Sequence, residues 1–144
     1  GRLADFIGEL EALVLDTPVT LCLETLQDHP SNEALIKLLP QTQGCAFGVV
    51  IDTGHSHIAG DLPGTAQRFG RRLKGLHIHD NDASHDQHLG IGRGTIDWQR
   101  FAADLRAADY EGPLLLEIGH PQPGEELPSL LRDSREALAR IFAG

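Results

Sequence analysis

Leu3, Phe6, Ile7, Leu10, Leu13 and Val14 recur at three- and four-residue spacing, which lays one apolar stripe along a helix that stops before Thr17-Pro18. The pattern then changes. Val19–Glu24 is a short, nearly unbroken apolar run that closes on a carboxylate, and Phe47–Asp52, Leu73–His79 and Pro113–Glu117 repeat that form. Such runs predict strands buried on both faces in a parallel sheet, each with an ionisable residue at or near its C-terminal end. Between them the helical period returns over Asn32–Leu39, Leu62–Arg72 and Trp98–Ala108, the last with Asp97 as N-cap, and a final helix covers Ser129–Phe142.

Strands and helices alternating at intervals of roughly 25 to 40 residues predict right-handed βαβ units in a parallel sheet. Four units suffice for a small open sheet or for half of an eight-stranded barrel, and residue parity favours the barrel. Cys22 and Glu24, Val50 and Asp52, Gly75 and His77, and Leu115 and Glu117 share one face of their strands. Leu21, Leu23, Val49, Ile51, Leu76, Leu114 and Leu116 take the other face, beneath helices. In a barrel the first set points to the axis, and Glu24, Asp52, His77 and Glu117 meet at the C-terminal mouth, where such folds place their chemistry. The expected fold class is α/β, a (β/α)8 TIM barrel of which this chain supplies about four βα units.

Composition narrows the picture. The 144 residues, 40% apolar and 23% charged, suit one domain over residues 1–144 with room for a core. No apolar run approaches the roughly 20 residues that cross a bilayer, and the opening GRLADFIGEL lacks a signal-peptide pattern, so the expected location is cytoplasmic, with no membrane partner. Cys22 and Cys45 lie in or beside apolar runs without a second pair and read as reduced, structural residues. A formal charge of −9 disfavours nucleic acid, whose affinity rests on Lys and Arg displacing counterions. It leaves small anionic substrates open, because a bound divalent cation outweighs scattered surface carboxylates. The chain has no methionine and opens directly into a helical pattern, which reads as a fragment.

Three carboxylates and one imidazole from four strand ends are costly to bury without compensation. A divalent cation supplies it. A hard, oxygen-rich set with one histidine suits manganese, magnesium, cobalt or zinc and excludes copper(I) or an iron–sulfur cluster. The competing reading makes each residue a solvated strand-end group or an N-cap; four at four strand ends favour the cation.

The strings IDTGHSHIAGDL (Ile51–Leu62), LKGLHIHDND (Leu73–Asp82), DQHLGIGRGTIDW (Asp86–Trp98) and YEGPLLLEI (Tyr110–Ile118) resemble, in order, the C-terminal half of the xylose-isomerase-like barrel superfamily. That group holds sugar phosphate isomerases, ketose 3-epimerases, inosose dehydratases and isomerases, and endonuclease IV. The resemblance implies that Glu24, Asp52, His77 and Glu117 are the shared metal ligands. It further implies that Glu24 and Glu117 exchange a proton at the carbon beside a substrate carbonyl, while the metal stabilises the enediolate. The activity so implied is a metal-dependent isomerase, epimerase or related lyase acting on a sugar, sugar phosphate or inositol derivative.

His55, just past Asp52, is expected to contact substrate or a further metal. The ketose 3-epimerases carry an arginine shortly after the metal histidine, whereas this chain has Ala83, Ser84 and His85 there. Asp86 and His88, with His55, match the positions that give endonuclease IV an additional zinc. An abasic-site nuclease is thus the alternative enzyme, and a catalytically inert half barrel that folds by pairing is the alternative without chemistry. Gly90, Gly92 and Gly94 do not follow a strand directly and read as a tight loop rather than a dinucleotide fingerprint. His29, His57, His85 and His120 read as loop residues. The expected partners are a small carbohydrate and either a second copy of the chain or a missing N-terminal half barrel.

Overall fold

A computed structural model describes residues 2–38, 47–119, 121 and 123–143. Its centre is a four-stranded parallel sheet in the order β1-β2-β3-β4, formed by Leu21–Glu24, Phe47–Asp52, Leu73–Ile78 and Leu114–Leu116. Sequential order and parallel pairing are what right-handed βαβ crossovers produce, and they aim every strand's C-terminal end at one mouth. Register pairs Glu24 with Val50, Asp52 with His77, and His77 with Leu115, so the two faces foreseen from parity are the two faces observed.

Among the described residues six α-helices accompany the sheet: α1 (Arg2–Val14), α2 (His29–Leu38), α3 (Thr53–Ala59), α4 (Thr65–Phe69), α5 (Trp98–Ala107) and α6 (Leu127–Phe142). The main core lies between the sheet and these helices, where Val49, Ile51, Leu76 and Ile78 meet Leu62, Phe69, Phe101, Leu105 and Leu138. A smaller cluster joins Ile7 of α1 to Leu38 and Phe47. Among the described residues no helix is long and apolar enough to cross a membrane.

Several expectations need correction. The helix foreseen over Leu62–Arg72 is shorter: Gly64 in the left-handed region (φ 82°) starts α4 at Thr65, and Gly70–Arg72 form a 3-10 turn. The helix α3 was not foreseen, and it places His57 in a helix rather than a loop. His57 Nε2 lies 2.9 Å from Thr95 Oγ1. The stripe of α1 is only half used: Ile7 is buried, but Phe6 and Leu13 are 54% and 76% exposed. Leu114, assigned to the helix-covered face, is exposed because β4 ends the sheet and no strand lies beyond it among the described residues. Cys22 is exposed and unpaired rather than packed in a core, because it faces the open axis side; Cys45 and His120 lie outside the described residues.

The long segment between β3 and α5 is strapped down by one buried carboxylate. Asp80, wholly buried, exchanges backbone hydrogen bonds with Leu89 at 2.9 Å each way. Its Oδ1 accepts from the Asn81 and Ile96 amides at 3.0 and 3.2 Å, and its Oδ2 from the Gly92 amide and the Trp98 indole at 2.9 Å each. Gly94 lets the strand close, since a Cβ there would overlap the Asn81 carbonyl. The glycine string is thus the tight loop expected of it.

Asp80→Ala strips four donors of their acceptor, so the urea midpoint should fall by the equivalent of about 2–4 kcal/mol; a loss under about 0.5 kcal/mol, the range of a surface substitution, would show that the strap does not hold the segment. The bare edges of β1 and β4 and the exposed Leu114, Leu115, Val19 and Leu13 should drive the isolated chain to associate. A cooperatively unfolding monomer in sedimentation would count against a half barrel that needs a partner surface.

Candidate metal centre

Glu24 closes β1, Asp52 closes β2, His77 lies near the end of β3 and Glu117 directly follows β4. One ligand atom from each falls within 4.8 Å of all the others, so the set read from the sequence is assembled in space. His77 Nδ1 is the hub, 3.1 Å from Glu24 Oε1 and 3.2 Å from Glu117 Oε1. Glu24 and Glu117 come from the two outer strands and remain partly exposed, whereas Asp52 is wholly buried.

The burial of Asp52 is built into the local sequence. Its Oδ1 caps α3 by accepting from the His55 amide at 2.7 Å. Its own N–H donates to Thr25 Oγ1 at 3.0 Å, and Ser56 Oγ donates to the same hydroxyl at 3.1 Å. The N-cap and ligand readings are therefore not alternatives: one oxygen caps the helix and the carboxylate still faces the cluster. Burial raises the Asp52 carboxyl, but the His79 hydrogen bond and charge, with the His55 amide, more than offset it and leave it below the ordinary value.

Three carboxylates and an imidazole offer the hard, anionic donor set that a divalent cation takes, and with no cation their negative charges would repel at this spacing. The residues fit such an ion. Each donor stands on a different strand end, a rigid mounting that holds ligand geometry better than loops do.

His55, Asp86 and His88 are also brought together. His55 Nε2 and His88 Nε2 lie 3.3 and 3.2 Å from the same oxygen, Asp86 Oδ2. Their other ring nitrogens already face backbone carbonyls, Nδ1 of His55 at 2.9 Å from Thr25 O and Nδ1 of His88 at 2.6 Å from Glu117 O. If each Nδ1 carries the proton, both Nε2 lone pairs confront a carboxylate oxygen, and acceptor faces acceptor unless a proton or a cation lies between. Burial lowers the His55 pKa, but Asp52, the Thr25 carbonyl and Asp86 outweigh it, so protonation is favoured above the usual imidazole value. His88 sits at φ 49°, left-handed backbone that a non-glycine residue adopts only when held there.

One residue escaped the sequence reading. His79 is fully buried, and its Nε2 lies 3.0 and 3.2 Å from the two oxygens of Asp52. It also groups with Asp86 and His88 within ligand distance of one another. Its shared parity with His77 was the available signal. His29 lies at the start of α2, 3.2 Å from Asp61 Oδ2, and His85 is 2.8 Å from Ser84 Oγ; neither reaches the cluster.

The family model described as xylose isomerase-like TIM barrel matches residues 1–141. An uncharacterized protein of Methanocaldococcus jannaschii is 28% identical over 138 residues, covering 90% of this chain and 47% of that protein. A probable endonuclease 4 of Chlorobium phaeobacteroides is 37% identical over 107 residues, covering 62% and 38%. Among solved structures, an L-ribulose 3-epimerase superposes with a TM-score of 0.83 at 17% identity, over 99% of this chain and 53% of that one. A xylose isomerase domain protein from Alicyclobacillus acidocaldarius gives 0.81 at 25% identity, over 99% and 57%. The chain thus spans less than half the length of these curated relatives and just over half of these solved chains.

Removing Asp52 or His77 removes a donor outright, so Asp52→Ala and His77→Ala should each weaken manganese binding by more than the roughly tenfold typical of outer-shell losses. Calorimetric titration of each variant measures it. Affinities equal to the parent's in both would mean that the cluster is not the metal site.

Proposed function

Because the chain belongs to the xylose isomerase-like TIM barrel family, and about four of a barrel's eight βα units are present, we propose that it is the metal-bearing half of an isomerase, epimerase or related lyase. Its substrate is a sugar, sugar phosphate or inositol derivative, and its reaction moves a proton at the carbon beside a carbonyl. The observation that carries this reading is the meeting of Glu24 and Glu117, from opposite ends of the sheet order, at His77 with Asp52 behind them.

A divalent cation held by Glu24, Asp52, His77 and Glu117 would polarise the carbonyl oxygen and lower the cost of charge developing beside it. The protein's own groups supply the rest. Glu24 and Glu117 are the only two of the four donors with both a flexible stem and solvent access, so they can hold or release a proton while Asp52 stays fixed. Their mounting on the outer strands suits a substrate carbon placed between them, one carboxylate taking the proton and the other returning it. Asp86 and His88 line the adjacent loop, where substrate hydroxyls would donate into the Asp86 carboxylate.

A second reading rests on the same acceptor-on-acceptor contact. A cation among His55, Asp86 and His88 would resolve it as well, and it would suit hydrolysis of a phosphodiester in abasic DNA. The formal charge of −9 favours the small substrate over a DNA backbone.

Metal stoichiometry in the parent and in a combined Asp86→Ala, His88→Ala variant separates the two, with turnover tested on a sugar panel and on abasic DNA. We expect an unchanged metal count and impaired sugar turnover. Loss of one zinc together with lost DNA cleavage would replace the sugar reading with the nuclease.

A further inference from the structure

His79 is clamped on every side. Its amide donates to Thr53 Oγ1 at 3.1 Å and the same hydroxyl donates to its carbonyl at 2.7 Å, which fixes the backbone just past β3. Its ring stacks on that of His88, with centroids 4.0 Å apart and planes 10° from parallel. It also meets His55 edge-on at 6.4 Å. Its edge rests on Gly54, where a Cβ would overlap Cε1, Nδ1 and Nε2. The glycine of the Asp52-Thr53-Gly54-His55 string is therefore required by the imidazole, not by a special backbone angle.

In this seat only one ring nitrogen is engaged. Nε2 lies on both oxygens of Asp52 and 3.5 Å from Asp86 Oδ1, whereas Nδ1 is buried without a hydrogen bond of ordinary geometry. Nε2 carries a hydrogen both in the protonated ring and in one neutral tautomer, so it can donate to Asp52 in either. Asp52 then has one oxygen held by the His55 amide and the whole carboxylate prevented from turning.

We propose that His79 is a positioning residue for the four-donor cluster: its Nε2–H sets the orientation of the Asp52 carboxylate, and its ring face seats the Asp86–His88 loop against that cluster. This assignment rests on the metal reading of Glu24, Asp52, His77 and Glu117. Groups that orient a metal ligand from outside the coordination shell commonly change affinity by about 10–100-fold when removed.

The test is manganese binding by the full chain, measured calorimetrically and by loss of the free-ion electron paramagnetic resonance signal, with thermal unfolding followed in parallel. His79→Leu fills the space without a donor and should weaken binding about tenfold or more. His79→Gln can return an amide N–H toward Asp52 and should recover most of that loss. Gly54→Ala leaves the imidazole's chemistry intact but displaces the ring, and should weaken binding as His79→Leu does. Parental affinity in His79→Leu, or an equal loss in His79→Leu and His79→Gln, overturns the assignment. If His79→Leu does not fold, Gly54→Ala decides in its place: weakened binding supports the assignment and parental binding overturns it. A parent chain that binds no manganese overturns the metal reading itself and takes this inference with it.

Discussion

A buried carboxylate must be supplied with donors or it will not stay charged, and the whole C-terminal mouth of this sheet is arranged around supplying them to Asp52. The chain leaves β2 and turns at once into α3 so that the His55 amide can cap it. Thr25, just past β1, and Ser56, on α3, tie its backbone to the neighbouring strand end. His79, just past β3, reaches back across the sheet to it. Three successive βα connections are fixed relative to one another by the needs of one side chain. The remaining donors, Glu24, His77 and Glu117, then need only stand at their own strand ends to fall within ligand distance.

That economy depends on every strand running the same way. Parallel pairing in sequential order gathers four C-terminal ends at one rim, but among the described residues it leaves β1 and β4 with unpaired edges and an open axis side. The exposed Cys22 and Leu115, on the same face as Glu24 and Glu117, are the visible consequence. Four candidate donors stand together at that mouth. This chain covers just over half of the solved chains it resembles.

Much of this was legible in the chain because parity is strict. Once Val50 and Asp52 are given one face, Ile51 must take the other, and short apolar runs ending in charged residues leave few alternative folds. What escaped has physical reasons. Residues 53–59 carry a glycine and two histidines with weak apolar periodicity, so α3 is stabilised by the Asp52 cap and by burial against β3 rather than by a stripe. His79 looked like one more polar residue at a strand end because its ring is claimed by Gly54 and His88, which are 25 and 9 positions away. Contacts of that kind leave no periodic trace. The half-used stripe of α1 and the exposure of Leu114 are the converse case, correct local patterns whose covering surface is absent among the described residues.

The electrostatics of the mouth order the events that any substrate must follow. Glu24, Asp52, Glu117 and Asp86 concentrate negative charge in a space floored by the apolar core, and low-dielectric walls strengthen its field. An anionic sugar phosphate approaching that surface alone would be repelled, as would a nucleic-acid backbone. A divalent cation entering first offsets most of the donor charge and converts the glutamates from mutually repelling groups into ordered ones. Asp86, whose Oδ2 lies within 3.3 Å of the His55 and His88 Nε2 atoms, stands beside that cluster as a further acceptor. On the proposed reading, a neutral, hydroxyl-rich ligand would suit this mouth by offering oxygens to a cation at the cluster and O–H donors to Asp86, which is the ground for ranking a polyhydroxylated substrate ahead of a phosphodiester.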